Sequence, residues 1–470
     1  MITFELGKKN KINIKCNDIS LFKRIRDYFS VPNKGAQFAK KYNKFIPSRK
    51  FLITPTGQCD IGMFWEIKNF LLEQQIIINI HIDKQLQEKL ACSIKIPILD
   101  NLNLKLRDYQ YNSVKAALET GRGICVLGTG AGKTLTTATL IECFFNYFKK
   151  DKHFKCLVIV PDLSLVNQTY TEFINMGVNF TVTRWTGSII PDLNSNCIIC
   201  NISILQSKFD LNEWIKHVDI LIVDEAHKIK AQETSKIINN INTIHKFGFT
   251  GTLPIDKEDK WSVIGKLGPV LTIKTSAELR TENHLVNAEV KILNLKYKQN
   301  YNFKYKDELN FLYCNSYRNN IITKICEKFQ NNILILVNHI IHGETLLEYF
   351  KNSNKQVFFI RGDVSVDDRD KIKDILEKEN NIVCIAISAI FSTGINIKNI
   401  HMILFAAGGK SFIRTVQSVG RGLRLHPSKD KLIIIDIQDE LKYSFNHGEE
   451  RKKIYDNEQI PFIEKQLVEI

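Results

Sequence analysis

Residues 123–134 read GICVLGTGAGKT and run on into LTTATLIECFFNYF (135–148). A short apolar run, a glycine-rich turn and a stretch of helical spacing follow one another without a break. That order, strand then loop then helix, is the context a phosphate-binding loop requires. Glycines at 128, 130 and 132 let backbone N–H groups approach phosphate oxygens, and the helix amino terminus adds positive potential. Gly128, Thr129, Gly130, Ala131 and Gly132 thus form a candidate cradle. Lys133 is placed to reach the β- and γ-phosphates and Thr134 to hold Mg²⁺. Leu127 stands where the strict pattern has its first glycine.

Working outward, apolar runs of four to six residues alternate with helical stretches from about residue 104. KCLVIV (155–160), CIIC (197–200) and DILIVD (219–224) follow the loop, and the rhythm returns in NILILV (332–337), QVFFI (356–360), NIVCIAI (381–387), HMILFA (401–406) and KLIIIDI (431–437). Continuous apolar strands with helices between them imply parallel sheets covered on both faces. The spacing predicts two α/β domains, 96–278 and 279–450, joined within 270–300, with a polar tail at 451–470 that reads as a helix or a loose end. Residues 1–95 read as a small α+β module. FKRIRDYFS (22–30) and MFWEIKNFLLEQQ (63–75) have helical spacing, and KFLITPT (50–56) and IIINIHI (76–82) read as strands.

Two further stretches carry chemistry. LIVDEAH (221–227) delivers Asp224 and Glu225 to the carboxyl end of an apolar strand, where α/β folds place ligands. Asp224 suits Mg²⁺, and Glu225 suits a base that orients and deprotonates water. QSVGRGLR (417–424) puts Arg421 and Arg424 three apart on one helical face. A pair of that kind is ordinarily a solvated basic face. Facing a γ-phosphate, it would supply the charge that accelerates phosphoryl transfer.

The net charge is +15, a balance that suits a polyanionic partner. An AT-rich genome also enriches Lys, but it does so evenly. Residues 1–50 hold thirteen Lys and Arg against Glu5, Asp18 and Asp27, so ten of the fifteen excess charges lie in the first tenth of the chain. No apolar run approaches a membrane span, and MITFELGKKNK lacks the apolar core of a secretory signal, so a cytoplasmic location is expected. Eleven cysteines fit a reducing compartment. Cys197 and Cys200 form a C-x-x-C without a second pair or His pair, which reads as a buried strand rather than a zinc site.

LRDYQ (106–110), LGTGAGKT (127–134), IVPDLSLVNQ (159–168), DEAH (224–227), FTGTLP (249–254), FSTGINI (391–397) and QSVGRGLR appear in this order. Together they resemble motifs Q, I, Ia, II, III, V and VI of superfamily 2 helicases. The resemblance covers about residues 104–440. It implies two RecA-like parallel-sheet domains of the P-loop NTPase class, with ATP and Mg²⁺ as cofactors. It further implies ATP contacts from Arg107, Gln110, Gly394 and Gln417, coupling through His227, Thr250 and Thr252, and strand contacts from Ser164, Gln168, Gln206 and Thr393. The amino-terminal pattern resembles the accessory domain of phage recombination helicases of the UvsW type. That implies a DNA helicase acting on branched or forked DNA in recombination and repair. Lys23, Arg24, Arg26, Lys40, Lys41, Lys44, Arg49 and Lys50 would grip the duplex, RNA would be met in R-loops, and the expected state is a monomer in the cytoplasm, that of the host if the chain is phage-encoded.

Three rivals stay open on the sequence. The first is a non-catalytic DNA-binding regulator built on a decayed motor, which the intact Lys133, Asp224, Glu225, Arg421 and Arg424 oppose. The second is the motor subunit of a restriction system, whose nuclease would be a separate chain. The third is an RNA helicase, although no RNA-reading module with paired exposed aromatics stands out.

Overall fold

The computed structural model describes residues 1–470 apart from 9, 34–46, 76–78, 91–93, 95–103, 149–152, 209–212, 231, 299–300, 363, 365, 389–396, 407–422, 424 and 469–470. The chain forms two compact units, Met1–Leu127 with Gly132–Ile273, and Gly128–Ala131 with Lys274–Ile470.

The first unit begins with strands β1 (Ile2–Leu6), β2 (Lys11–Cys16), β3 (Ser30–Pro32), β4 (Arg49–Phe51), β5 (Gln58–Asp60) and β6 (Ile80–Ile82). One sheet has the order β5-β2-β1-β6, and β3 pairs with β4 separately. Alternation puts Ile2, Phe4, Ile12 and Ile14 inside, as half-buried strands require. The helix Ile19–Tyr28 is capped by Asp18, whose carboxylate accepts from Leu21 N–H at 3.0 Å, and it buries Leu21 and Ile25. The helix Met63–Glu73 buries Met63, Phe64, Ile67, Phe70 and Leu71.

The same unit continues with β7 (Gly123–Leu127), β8 (Cys156–Val160), β9 (Val182–Trp185), β10 (Cys197–Asn201), β11 (Ile220–Asp224), β12 (His245–Thr250) and β13 (Val270–Lys274), in the sheet order β13-β7-β12-β11-β8-β10-β9. Every residue of β7 and β8 is buried, because a parallel sheet sandwiched by helices has no wet face. Cys197 and Cys200 are both buried in β10.

The module and this sheet share one apolar core. Trp261, on the helix Lys257–Leu267, meets the rings of Phe29 at 5.4 Å and Tyr28 at 6.2 Å. Gly62 N–H donates to the Gly265 carbonyl at 3.1 Å, and a Cβ at Gly62 would collide with the Ile264 carbonyl oxygen, so glycine permits the approach. Asp60 lies between Lys11 of the module and Lys266 of the helix and forms an ion pair with each.

The second unit holds β14 (Asn287–Lys296), β15 (Ile333–Val337), β16 (Gln356–Ile360), β17 (Ile382–Ile387), β18 (Met402–Phe405), β19 (Lys431–Asp439) and β20 (Phe462–Val468), a parallel sheet in the order β16-β17-β15-β18-β19-β14-β20. Two buried ion pairs sit among these apolar strands. Arg318 Nε meets Asp439 at 3.0 Å, and Arg451 meets Asp436 at 2.7 Å with the Tyr455 hydroxyl donating to the same carboxylate.

The structure departs from the sequence expectations at several places. The expected strand 50–56 is ladder-paired only as β4, because Leu52 N–H turns to the Phe29 carbonyl and Arg26 Nε donates to the Ile53 carbonyl. The stretch expected to connect the domains contains β13, an edge strand of the first sheet, and β14, an interior strand of the second. In the polar tail, the helix Lys442–Asn457 agrees with the helical reading, but the chain then forms β20, parallel to β14, where the letters predict no strand. Edge strands such as β13 and β20 are held by backbone bonds on one side and keep polar residues, so their composition reads as loop.

Candidate nucleotide site

β7 ends at Leu127 and the helix Lys133–Phe148 begins five residues after Gly128. Gly130 and Gly132 sit at φ +87° and +77°, a left-handed backbone that glycine adopts without strain. Ala131 N–H closes the turn on the Gly128 carbonyl at 3.0 Å, and Thr136 N–H starts the helix on the Gly132 carbonyl at 3.1 Å. Lys133 Nζ donates to the Leu127 carbonyl at 3.3 Å, which holds the ammonium at the strand end. Thr129 and Thr134 are half-buried. Gln110 is buried; its Oε1 accepts from Arg107 N–H at 2.9 Å, and its amide nitrogen packs so close to Gly132 that a side chain there would displace it. Arg107 is exposed and donates to the Tyr109 hydroxyl at 3.2 Å. Within the second unit, Gly128 N–H donates to the Lys274 carbonyl at 2.8 Å, and Leu285 lies against Gly130.

At the carboxyl end of β11, Asp224 is followed by Glu225 at φ +49°, a left-handed conformation that costs a non-glycine residue about 1 kcal/mol. The turn sets the two carboxylates side by side. Burial and the charge of Glu225 push the Asp224 carboxyl up, with Lys133 and Lys228 acting against them. Burial would raise Glu225 as well, but its bond to His227, together with Lys133 and Lys228, holds it below the usual carboxylate range. Glu225 Oε2 lies 3.2 Å from His227 Nδ1. That nitrogen is also 2.9 Å from Thr250 Oγ1, which in turn donates to the Thr252 carbonyl at 2.8 Å. Because the Thr250 hydroxyl commits its one proton to Thr252, Nδ1 donates to Thr250 Oγ1, and the Glu225 carboxylate lies beside the ring. A continuous polar chain therefore runs from Glu225 to the end of β12. Lys228, whose charge acts on both carboxylates, is a residue that the sequence motifs do not single out. Its only signal there is its place one residue beyond the acidic motif.

Ser164 donates to Asp162, the cap of the helix Leu163–Met176, at 2.6 Å, and Gln168 donates to Glu172 at 2.7 Å. Gln206 is exposed on the helix Ile202–Lys208. On the module, Lys23 and Arg24 are exposed, whereas three other cations already have partners. Arg26 lies over the Phe51 ring at 4.6 Å, Arg49 donates to Ser30 Oγ at 2.8 Å, and Lys50 pairs with Glu258 at 2.6 Å. Lys40, Lys41, Lys44, Thr393, Gly394, Gln417, Arg421 and Arg424 lie outside the described residues.

Two family models match the chain: the type III restriction enzyme res subunit over residues 103–255 and the helicase conserved C-terminal domain over residues 317–426. The ATP-dependent DNA helicase uvsW of Enterobacteria phage T4 is 26% identical, with 97% of each chain covered. Among solved structures, a type ISP restriction-modification enzyme, LlaBIII, bound to DNA overlays 85% of this chain and 36% of its own with a TM-score of 0.59 at 15% identity. Saccharomyces cerevisiae Dbp5 bound to RNA and ADP BeF3 overlays 81% of this chain and 95% of its own with a TM-score of 0.57 at 15% identity. The two structural likenesses speak for the fold, and the family models and the phage relative for the motor built on it. With a glycine-rich turn after β7, paired carboxylates after β11 and a second seven-stranded parallel sheet later in the sequence, the chain belongs to the superfamily 2 helicases, ATP-driven motors that act on nucleic acid.

Proposed function

We propose that this chain is a DNA motor that remodels branched DNA, regressing forks, migrating Holliday junctions and unwinding R-loops in recombination, repair and replication. The observation that carries the reading is the end-to-end match with the phage DNA helicase, which takes in the amino-terminal module as well as the motor. A relationship confined to the motor would leave the first 95 residues unmatched.

In this mechanism Arg107 and Gln110 hold the adenine end of ATP, with Gly394 and Gln417 contributing from the second domain. The backbone of Gly128–Gly132 and the Lys133 ammonium bind the phosphates. Glu225 is kept ionised by His227 and Lys133, so it can orient the attacking water and accept its proton. The Thr134 hydroxyl and the Asp224 carboxylate suit Mg²⁺. Both are hard oxygen donors, and a carboxyl raised by burial and an acidic neighbour is one that a dication stabilises. Bound there, Mg²⁺ would neutralise charge on the β- and γ-phosphates. Arg421 and Arg424 supply positive charge to the transition state. His227, Thr250 and Thr252 relay the state of Glu225 to the segment after β12. Ser164, Gln168, Gln206 and Thr393 contact strand phosphates, which set register without reading sequence. Lys23 and Arg24, with Arg26, Lys40, Lys41, Lys44, Arg49 and Lys50, hold the duplex arms, and the monomer is sufficient.

The test is ATP hydrolysis by the full chain in the presence of a four-way junction, a forked duplex, single-stranded DNA or RNA. Strongest stimulation by the branched DNAs is expected. Stimulation by RNA alone would overturn the reading.

A further inference from the structure

Within the second unit, the helix Tyr305–Cys314 borders a cavity of 690 Å³ at the carboxyl ends of β15, β16 and β17. Lys306, Asn310 and Tyr313 enter its wall from one helical face, and Asn338 and His339, directly after β15, line it beside them, the His339 ring 5.5 Å from that of Tyr313. None of the residues assigned above to ATP or to strand phosphates is among the described residues that line it. The carboxyl edge of a parallel sheet is where α/β folds bind ligands, and the volume lies in the range of small-molecule pockets.

The wall is chemically selective. Tyr313 is 5% exposed and its ring stacks on His342 at 4.9 Å, yet its buried hydroxyl has no hydrogen-bond partner among the described residues. Buried hydroxyls are rarely left so, and one on a cavity wall marks a place for a polar ligand atom. Asn310 and His339 are exposed at the rim, and Ile340 and Ile341 present 46% and 62% of their surface beside them. Lys306 is the one Lys, Arg, Asp or Glu among the described residues lining the cavity. A single cation supplies little of the counter-charge on which affinity for strand phosphates depends. Apolar surface, an imidazole face and neutral hydrogen-bonding groups instead suit a planar heterocycle with polar edges.

We propose that this cavity receives an unstacked nucleobase of the bound strand, the His339 ring and Ile340 covering its face and the Asn310 amide and Tyr313 hydroxyl meeting its polar edge. The inference rests on the nucleic-acid motor reading and adds to it a base contact that backbone recognition does not require. Thymine and other bases share this chemistry with a free nucleotide, so the test separates the two.

Affinity of the full chain is measured for an oligothymidylate and for the matching abasic strand, in the wild type and in an Asn310→Ala, His339→Ala double variant. Both substituted side chains are exposed, so the melting temperature should hold. The wild type is expected to favour the base-bearing strand about tenfold, the scale of one base stacking on an aromatic ring. The double variant should lose most of that preference while binding the abasic strand as the wild type does. Equal binding of the two strands by the wild type, or full preference in the variant, overturns the proposal. So does displacement of the oligothymidylate by free thymidine monophosphate at equal nucleotide concentration, which would assign the cavity to free nucleotides. Stimulation of hydrolysis by DNA together with equal binding of the two strands would sink this inference alone. Absence of stimulation by any nucleic acid would sink the motor reading beneath it.

Discussion

Glu225 concentrates the chemistry of the first unit in one residue. Its backbone is left-handed, its carboxylate lies beside His227, and its charge raises the neighbouring Asp224. Replacing Glu225 with Gln keeps the size of the side chain and removes its basicity. Turnover should fall about 10²–10⁴-fold, the range of general-base catalysis, while nucleotide still binds, as measured by steady-state hydrolysis beside a binding titration. Lys133→Ala removes the ammonium proposed to bind the phosphates and should lower turnover about 10²–10³-fold, the scale of removing one preorganised electrostatic donor. If the wild type hydrolyses no ATP either, the decayed-motor rival wins. The acid pair also sets a pH dependence. Asp224 titrates above the ordinary carboxylate range, so it takes up a proton at milder acidity than a free aspartate as pH falls. Binding of a Mg²⁺-nucleotide should therefore weaken on that earlier acid limb. Glu225→Gln removes the neighbouring negative charge and should move the limb to lower pH, which a pH series of the same titration checks.

Among the elements, the strand β5 and the helix Lys257–Leu267 show how the module is fixed to the motor. Burial alone would raise the Asp60 carboxyl, but Lys266 and Lys11 override it and hold it below its ordinary value. A depressed acid contributes stability that is present above its unfolded pKa and is lost as pH falls through the folded one. The module contact should therefore hold at neutral pH and weaken only below about pH 4, the unfolded value of aspartate. Asp60→Asn leaves Lys11 and Lys266 without their carboxylate. It should cost about 2–3 kcal/mol, less than a fully buried pair, because Asp60 retains 17% of its side-chain exposure. Denaturant unfolding followed by tryptophan fluorescence reads this once Trp65, Trp185 and Trp214 are replaced by Phe, since the Trp261 ring packs on Tyr28 and Phe29. At the other end of the chain, deletion of Phe462–Val468 would bare the backbone of β14 along the register that β20 covers. Exposed edges of that kind pair between molecules, so the truncated chain should show more aggregation by light scattering at equal concentration.

For the whole molecule, the concentration of positive charge in the first fifty residues is the feature that the motor fold alone does not require. Lys23 and Arg24 are exposed, whereas Arg26, Arg49 and Lys50 already serve the module's own packing or its ion pair with Glu258. Charge reversal at Lys23 and Arg24 should weaken DNA binding at every sequence and flatten the dependence of log affinity on log salt by roughly 0.9 for each phosphate that is no longer neutralised. An unchanged slope would show these two side chains to be merely solvated. Much of this architecture was legible in the letters. The glycine-rich turn, the acidic strand end and the buried strands are local patterns, since glycines beside a helix start and unbroken apolar runs act within a few residues of chain. What only the tertiary structure decided is how residues far apart in the chain meet. Packing alone joins Asp60 to Lys266, Tyr297 and Arg318 to Asp439, and β20 to β14. Even the turn that aims Glu225 at His227 and Thr250 depends on β11 and β12 lying side by side. Spacing records which face a residue is on, and only the packed sheets determine what that face meets.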